Sequence, residues 1–454
     1  MNYLMKAVVL VFFISPHICN AQVNNIILQK YINEGIENNL AMKNENLSIK
    51  QEIEKLNQIK SLFYPNIALN SSYSLAHGGR SIDIPTGDLM NPVYSILNQL
   101  VQGANFPSIS NTSEPFLASN YQDSRFSFVL NVLNTDIYYN YRAQKKYISV
   151  MKAKKEVFEN ELKKNISIAY YSYLQTLENI NILYLNRNTL EQVKKYNESL
   201  LKNGISTKEI IYDSNYEISL LDLQISEAQK NITVAKKYFN SLLNKELTSD
   251  IEIDSTIFSD ECIKNLLVLK SSYVNNKKSE VEEIENLIDL KKITVSRYKK
   301  NMFVPKITFA NNTGFQGYKF KFNTDQFYTY AQINFQWSLF SGGEKRAKLR
   351  AAKLDLQIAQ NKYQDILKQL EFEEDKCYEE LIVALKKYEN AKVALLQSQE
   401  AFKISFNKYQ HGQVLWVDFI KRQNNYLASQ IQLSVMKYDV MMKYINYQKS
   451  KENL

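Results

Sequence analysis

Two stretches of this chain, Asp136 to Asn203 and Glu344 to His411, each follow a strand-like segment, run without glycine or proline, and end at a glycine. Each is roughly 68 residues, or ~100 Å if helical throughout at ~1.5 Å per residue. A rod of that length does not fit inside a compact globular domain. The second run shows what it packs against. Ala352, Leu356, Ala359, Tyr363, Ile366 and Leu370 step by four and three; Cys377, Leu381, Ala384, Tyr388, Ala391 and Leu395 resume the pattern after a shift of one. That is a coiled-coil seam, with small residues that permit close approach. Gly204 stops the first run and Gly412 the second. With 11 glycines and 7 prolines in 454 residues, little else interrupts helices.

Strict alternation precedes the second run. Phe327, Thr329, Ala331, Ile333, Phe335, Trp337 and Leu339 share one face; Tyr328, Tyr330, Gln332, Asn334, Gln336 and Ser338 share the other. This period of two predicts a strand, apolar on one side and polar on the other. Ser341-Gly342-Gly343 then makes a strand-to-helix turn, and Ser341 with Glu344 spells a capping box. Earlier in the chain, Asn25–Leu62 reads as helix, broken by Pro65. A strand follows at about 66–75, then an irregular segment, Ala76–Ser124, holding four prolines and room for a short helix at Pro92–Val101. A second strand at about 126–134 leads into the first long helix, 136–203. Gly204 follows, then a second capping box, Ser206 with Glu209, and helix to about Leu243. After a polar connector come helical segments at Glu261–Lys270 and about Ser279–Lys300, and a strand at about 305–316 with a turn marked by Gly314 and Gly317. The strand at 327–339, the helix at 344–411 and a last helix from about Trp416 complete the chain.

The order helix, proline, strand, loop, strand, long helix, glycine, helix occurs twice. Pro65 answers Pro305, Leu133-Asn134-Thr135 answers Leu339-Phe340-Ser341, and Lys202-Asn203-Gly204 answers Gln410-His411-Gly412. Three landmarks in one order point to an internal duplication: residues 22–250 form the first repeat and 251–454 the second. Residues 1–21 read as a signal peptide, a short basic start followed by an apolar stretch from Ala7 to Ile14 and small Ala21 at the cut. Pro16-His17-Ile18 is a poor context for lipid attachment at Cys19. The compartment allows a disulfide between Cys262 and Cys377, but nothing in their placement indicates one. No later stretch is long and apolar enough for a transmembrane helix.

Each repeat supplies two strands, so one chain supplies four. A membrane barrel needs at least about eight. An exported chain with lipid-compatible strands and no helical anchor must then close its sheet with copies of itself. Cyclic symmetry is the usual route, and three chains would give about twelve strands. The motif Leu339-Phe340-Ser341-Gly342-Gly343, the prolines Pro65 and Pro305, the helix–glycine–helix turns and Lys408-Tyr409-Gln410-His411-Gly412 resemble the TolC-like outer-membrane efflux family. So do Asp418 and the polar run Arg422-Gln423-Asn424-Asn425.

The resemblance covers essentially the whole mature chain. It implies a mainly α fold with a small β part: a homotrimer with a 12-stranded barrel in outer-membrane lipid, an α-helical periplasmic tunnel, and a collar near 244–300. It also implies a periplasmic adaptor and an inner-membrane pump as partners. The long first loop, including Asn91–Asn98, resembles members that work with pumps of the resistance-nodulation-division type. Cargo could be small molecules or, in a type I secretion system, protein.

Three candidate sites follow from the resemblance. Asp418, six residues after Gly412, stands where the family places an acid at the periplasmic aperture, but Lys421 and Arg422 follow it. A carboxylate ring and a merely solvated helix face fit these residues equally well. In the first half Ile210 stands where that acid would be, beside Glu209. The turns, with Lys202, Asn203, Gly204 and Ser206 in one and His411, Gly412 and Gln413 in the other, are the expected adaptor-docking tips. Tyr328, Tyr330, Phe335, Trp337, Phe126 and Phe128 could supply aromatic girdles.

Other classes find less support. Only His17, His77 and His411 are present, with no zinc spacing, phosphate-binding glycine loop or nucleophile elbow, so no catalytic residue, metal or cofactor is expected. The charge of +9 comes from lysines interleaved with glutamates along helices, a solvated face rather than a nucleic-acid surface. A non-channel periplasmic coiled-coil protein is the remaining rival.

Overall fold

The computed structural model describes residues 26–103, 105–253 and 278–452. The expected signal peptide with Cys19, the residue Cys262, the helix read at Glu261–Lys270 and part of the expected collar lie outside the described residues. In chain order the elements are α1 (Ile26–Asn38), α2 (Leu40–Ser61), β1 (Asn66–Ser74), β2 (Ser81–Ile84), α3 (Thr86–Leu100), β3 (Thr112–Pro115), β4 (Tyr121–Leu133), α4 (Thr135–Lys202), α5 (Lys208–Leu242), α6 (Ser279–Lys300), β5 (Lys306–Tyr318), β6 (Phe327–Gln336), α7 (Glu344–Gln410) and α8 (Trp416–Ser450). They divide into two units. One holds residues through Lys50, Ser149–Asn286 and Gln360 onward; the other holds Gln51–Ile148 and Leu287–Ala359.

The first unit is helical. Its main core takes Leu162, Ile166, Ala169, Tyr170 and Tyr173 from α4, Leu28, Tyr31 and Ile32 from α1, Phe239 from α5, Leu381, Ala384 and Tyr388 from α7, and Tyr438 and Met441 from α8. The steps of three and four put each set on one helix face. Tyr31 meets Phe239 edge-on at 5.0 Å. The α4 sequence is rich in Tyr, Asn and Ile, which are indifferent helix formers. Each large side chain buried here contributes about 1.5–3 kcal/mol, so packing rather than propensity holds the helix. The α7 seam lies where its spacing predicts: Ala352, Ala359, Leu370, Leu381, Ala384, Tyr388 and Ala391 are buried, and the other seam residues, Leu356, Tyr363, Ile366, Cys377 and Leu395, are half-buried. The single helix read over 25–62 is instead two. Asn39 interrupts it, its side-chain oxygen accepting from the N–H groups of Ala41 and Met42 as the cap of α2.

The second unit is built on an antiparallel sheet in the order β1-β4-β5-β6. Three corrections to the sequence reading arise here. Gly314 and Gly317 do not mark a turn; both lie inside β5. The chain reverses later, past Lys319 with its positive φ and a short 3-10 turn, Thr324–Gln326. Strand β4 begins at Tyr121, five residues before its apolar alternation starts, because Tyr121–Arg125 pair with both β1 and β5. Strand β6 stops at Gln336, short of Leu339. Gln336 pairs with Lys306, the first residue of β5, and Pro305 before it has no N–H to extend the ladder. The segment read as irregular, Ala76–Ser124, holds a two-stranded sheet of β2 and β3, and the short helix expected at Pro92–Val101 is the 15-residue α3, which starts earlier, at Thr86.

Candidate functional site

Two features of the second unit bear on function. The sheet is open. Strands β1 and β6 each pair on one side only, so two rows of backbone N–H and C=O groups have no strand beside them. Its apolar residues are also left uncovered within the chain. Ile67 and Leu69 of β1 are each 66% exposed, and Ile333 and Phe335 of β6 are 73% and 63% exposed. These are the outward positions of the alternation. Tyr328 and Gln332, on the polar face, are half-buried. Of the candidate girdle residues, Phe126, Tyr330, Phe335 and Trp337 are exposed, while Phe128 meets Phe309 edge-on at 5.9 Å. Among the described residues no helix is long and apolar enough to cross a membrane.

Strand β6 reaches α7 through Ser341-Gly342-Gly343. Gly342 and Gly343 have φ of 57° and 86°, a conformation costly for any other residue. The capping box does not form. The turn is closed by backbone, Glu344 N–H to Ser341 C=O at 3.0 Å, and the Glu344 carboxylate pairs with Lys348. The second expected box is also absent. Thr207 caps α5 with no side-chain bond, and the Ser206 hydroxyl is buried without a partner among the described residues.

The tips of the two helical hairpins, both in the first unit, share one local design. Gly204 N–H bonds Leu201 C=O at 3.0 Å and Ile205 N–H bonds Leu200 C=O at 2.9 Å; Gly412 and Gln413 do the same to Tyr409 and Lys408 at 3.0 and 2.9 Å. With φ of 75° and 68°, both glycines terminate their helices in Schellman motifs. Lys202, Asn203, Gly204, His411, Gly412 and Gln413 are exposed. His411 Nδ1 lies 2.8 Å from Asn407 C=O.

Behind the tips is a second core of Leu190, Val193, Leu221, Tyr409, Trp416 and Phe419. Tyr409 stacks on Phe419 at 4.8 Å. Two tyrosines tie one hairpin to the other: Tyr409 donates to Asn197 Oδ1 at 2.7 Å, and Tyr196 donates to Gln410 C=O at 2.7 Å. Asn197, fully buried, donates in turn to Ser214 Oγ at 3.1 Å. Burial pushes the Tyr409 hydroxyl up to about 12, against the pull of Asn197, so it keeps its proton and its bond.

Asp418 lies in the first turn of α8. Asp418, Lys421 and Arg422 are all exposed, with no ion pair to any described residue. Ile210, the first-half counterpart, packs against the tip core. Sequence reasoning missed the amide ladder one turn on. Gln423 donates to Asn186 Oδ1 at 2.9 Å, and Asn186 donates to Gln430 Oε1 at 2.8 Å. Gln423 and Asn186 are buried and border a cavity of about 340 Å³ between α4, α5 and α8. The only signal was a polar residue on an otherwise apolar helix row.

No family model matches the sequence, and no curated protein matches it. Solved structures do. The CmeC outer membrane channel of Campylobacter jejuni aligns with a TM-score of 0.72 at 15% identity, over 94% of this chain and 85% of that one. The outer membrane protein VceC of Vibrio cholerae aligns at 0.73 and 14% identity, over 93% and 95%. The MtrE outer membrane channel of Neisseria gonorrhoeae, in its open state, aligns at 0.73 and 13%, over 94% and 88%. Likeness at these identities speaks for fold. This chain has the fold of these outer-membrane channels, which is the fold its resemblance to TolC-like proteins implies.

Proposed function

We propose that the protein is the outer-membrane exit duct of a tripartite export system, conducting small molecules passively from an inner-membrane pump and periplasmic adaptor to the exterior. The observation that carries this reading is the open sheet. Four strands with two unpaired edges and an uncovered apolar face are unstable in water as they stand. Closing them in lipid satisfies both the edges and the face. Three copies give the twelve strands of a small barrel. The paired hairpins then form the periplasmic tunnel, and their glycine tips, bearing Lys202 and Gln413, form the surface offered to the adaptor. Because pump and adaptor select cargo and supply energy, a protein-secretion duct would share this architecture. The open-state MtrE channel offers a precedent for a conducting form.

The test is recovery in the outer-membrane fraction as a heat-modifiable trimer that conducts in planar bilayers. A soluble, non-conducting monomer would support the coiled-coil structural protein instead. Cysteines placed at Lys202 and Gln413 should crosslink to the adaptor in cells; adducts absent from both would refute the docking role.

A further inference from the structure

At the helix-side end of the sheet, where α6 leads into β5 and β6 leads into α7, the second unit holds a cavity of about 320 Å³ that the proposed duct does not use. Four cations line it, Arg297, Lys306, Lys345 and Lys348, against two carboxylates, Asp136 and Glu344. The excess of positive charge sets the sign of any ligand. Asp136 is shared by two of the cations: Arg297 Nε is 3.2 Å from one oxygen and Lys306 Nζ is 3.0 Å from the other. Burial pushes its carboxyl up, but Lys306, Asn301 and Arg297 together outweigh burial and hold it below the ordinary carboxylate range. Glu344 is taken by Lys348. Among the described residues Lys345 forms no salt bridge, although its charge is felt at Glu344. Its ammonium donates to Ser338 C=O at 2.8 Å, which leaves two of its three N–H donors. The Trp337 indole and the Ser338 hydroxyl line the same cavity. Among the described residues neither side chain has a hydrogen-bond partner.

We propose that this cavity binds the phosphate of an anionic phospholipid. The proposal rests on the outer-membrane reading, which puts the helix-side end of the sheet at a lipid–water interface, where an exposed tryptophan such as Trp337 is at home. A phosphodiester is anionic and offers unshared oxygens to the ammonium, indole and hydroxyl donors. The exposed Ile333 and Phe335, on one face of β6 near the end that leads to Trp337, offer apolar surface to its acyl chains. The first ten residues of α7 carry five cations, Lys345, Arg346, Lys348, Arg350 and Lys353, whereas those of α4 carry Arg142 alone. Thr135 and Asp136 of α4 also line the cavity, but its cation-rich helix start is that of α7, at the second strand-to-helix junction.

Native mass spectrometry of the detergent-purified full-length protein tests this. Short-chain phosphatidylglycerol should be retained and short-chain phosphatidylcholine should not. Lys345→Gln should weaken retention about fivefold, the effect of one basic residue at a membrane surface. Lys353→Gln, outside the cavity, should leave it unchanged. Equal retention by the two variants, or of the two lipids, would overturn the proposal. So would displacement of the lipid by an equal concentration of inorganic phosphate, which would make free phosphate the occupant. A conducting trimer that retains no phosphatidylglycerol fails this proposal alone. A chain that retains it in detergent but is absent from the outer membrane fails the duct reading alone.

Discussion

Tyr409 and Tyr196 each join one helical hairpin to the other through a hydroxyl, with bonds of equal length, 2.7 Å. Their environments differ. Tyr409 reaches a fully buried amide, Asn197, whereas Tyr196 reaches a carbonyl at an exposed position. Removing the first hydroxyl strands a buried acceptor; removing the second lets water take its place. Tyr409→Phe should therefore cost about 1–3 kcal/mol and Tyr196→Phe less than about 1 kcal/mol. Thermal melts followed by helical circular dichroism would compare them, and equal losses would show that burial does not set the strength of this tie. Neither bond was legible in the sequence. Tyr409 was quoted there for its motif, but a tyrosine on an apolar helix face gives no sign of the amide across from it.

At the scale of elements, what the sequence revealed and what it hid divide along physical lines. Long helices and the α7 seam were legible because a period near 3.6 repeats over many turns. The strands were legible where they alternate apolar with polar residues, and lost where they do not. Polar Gln122–Arg125 extend β4 through pairing that only the folded sheet supplies. Helix α3 was legible only from Pro92 onward, because a proline reads as a helix start; its first six residues, Thr86–Asn91, were missed. The duplication into 22–250 and 251–454 is proposed from the repeated order of landmarks in the sequence.

Glycine misled most. Gly314 has no turn to make; it lets two strands approach. A Cβ there would lie 2.1 Å from the Ser124 carbonyl oxygen and 2.5 Å from the Arg125 Cα, both backbone atoms that cannot move aside. At Gly317 the nearest atoms, at 2.8 Å, belong to the Gln326 side chain, which can. If the proposed trimer forms, Gly314→Val should abolish its heat-modifiable band on gels by breaking the β4–β5 ladder, whereas Gly317→Ala should retain it. A trimer surviving in Gly314→Val would show that the sheet tolerates a parted ladder.

At the scale of the whole molecule, the proposed threefold symmetry multiplies every residue near the tunnel axis by three, and that is where Asp418 gains meaning. In one chain it is an exposed carboxylate with Lys421 and Arg422 on the following turn. A single surface charge of this kind is screened within ~10 Å at 0.1 M salt. Three carboxylates facing each other across a narrow mouth act together, because a constriction concentrates their field on each passing ion. The two cations that follow oppose them only if they face the same lumen. Asp418→Ala would therefore separate the two readings in planar bilayers at low salt. A ring at the aperture predicts a lower cation-to-anion permeability ratio and weaker block by divalent cations, with Lys421→Ala shifting selectivity the opposite way if that side chain shares the lumen. A solvated outer face predicts that neither substitution changes the ratio, and that result would remove Asp418 from the aperture while leaving the duct itself standing.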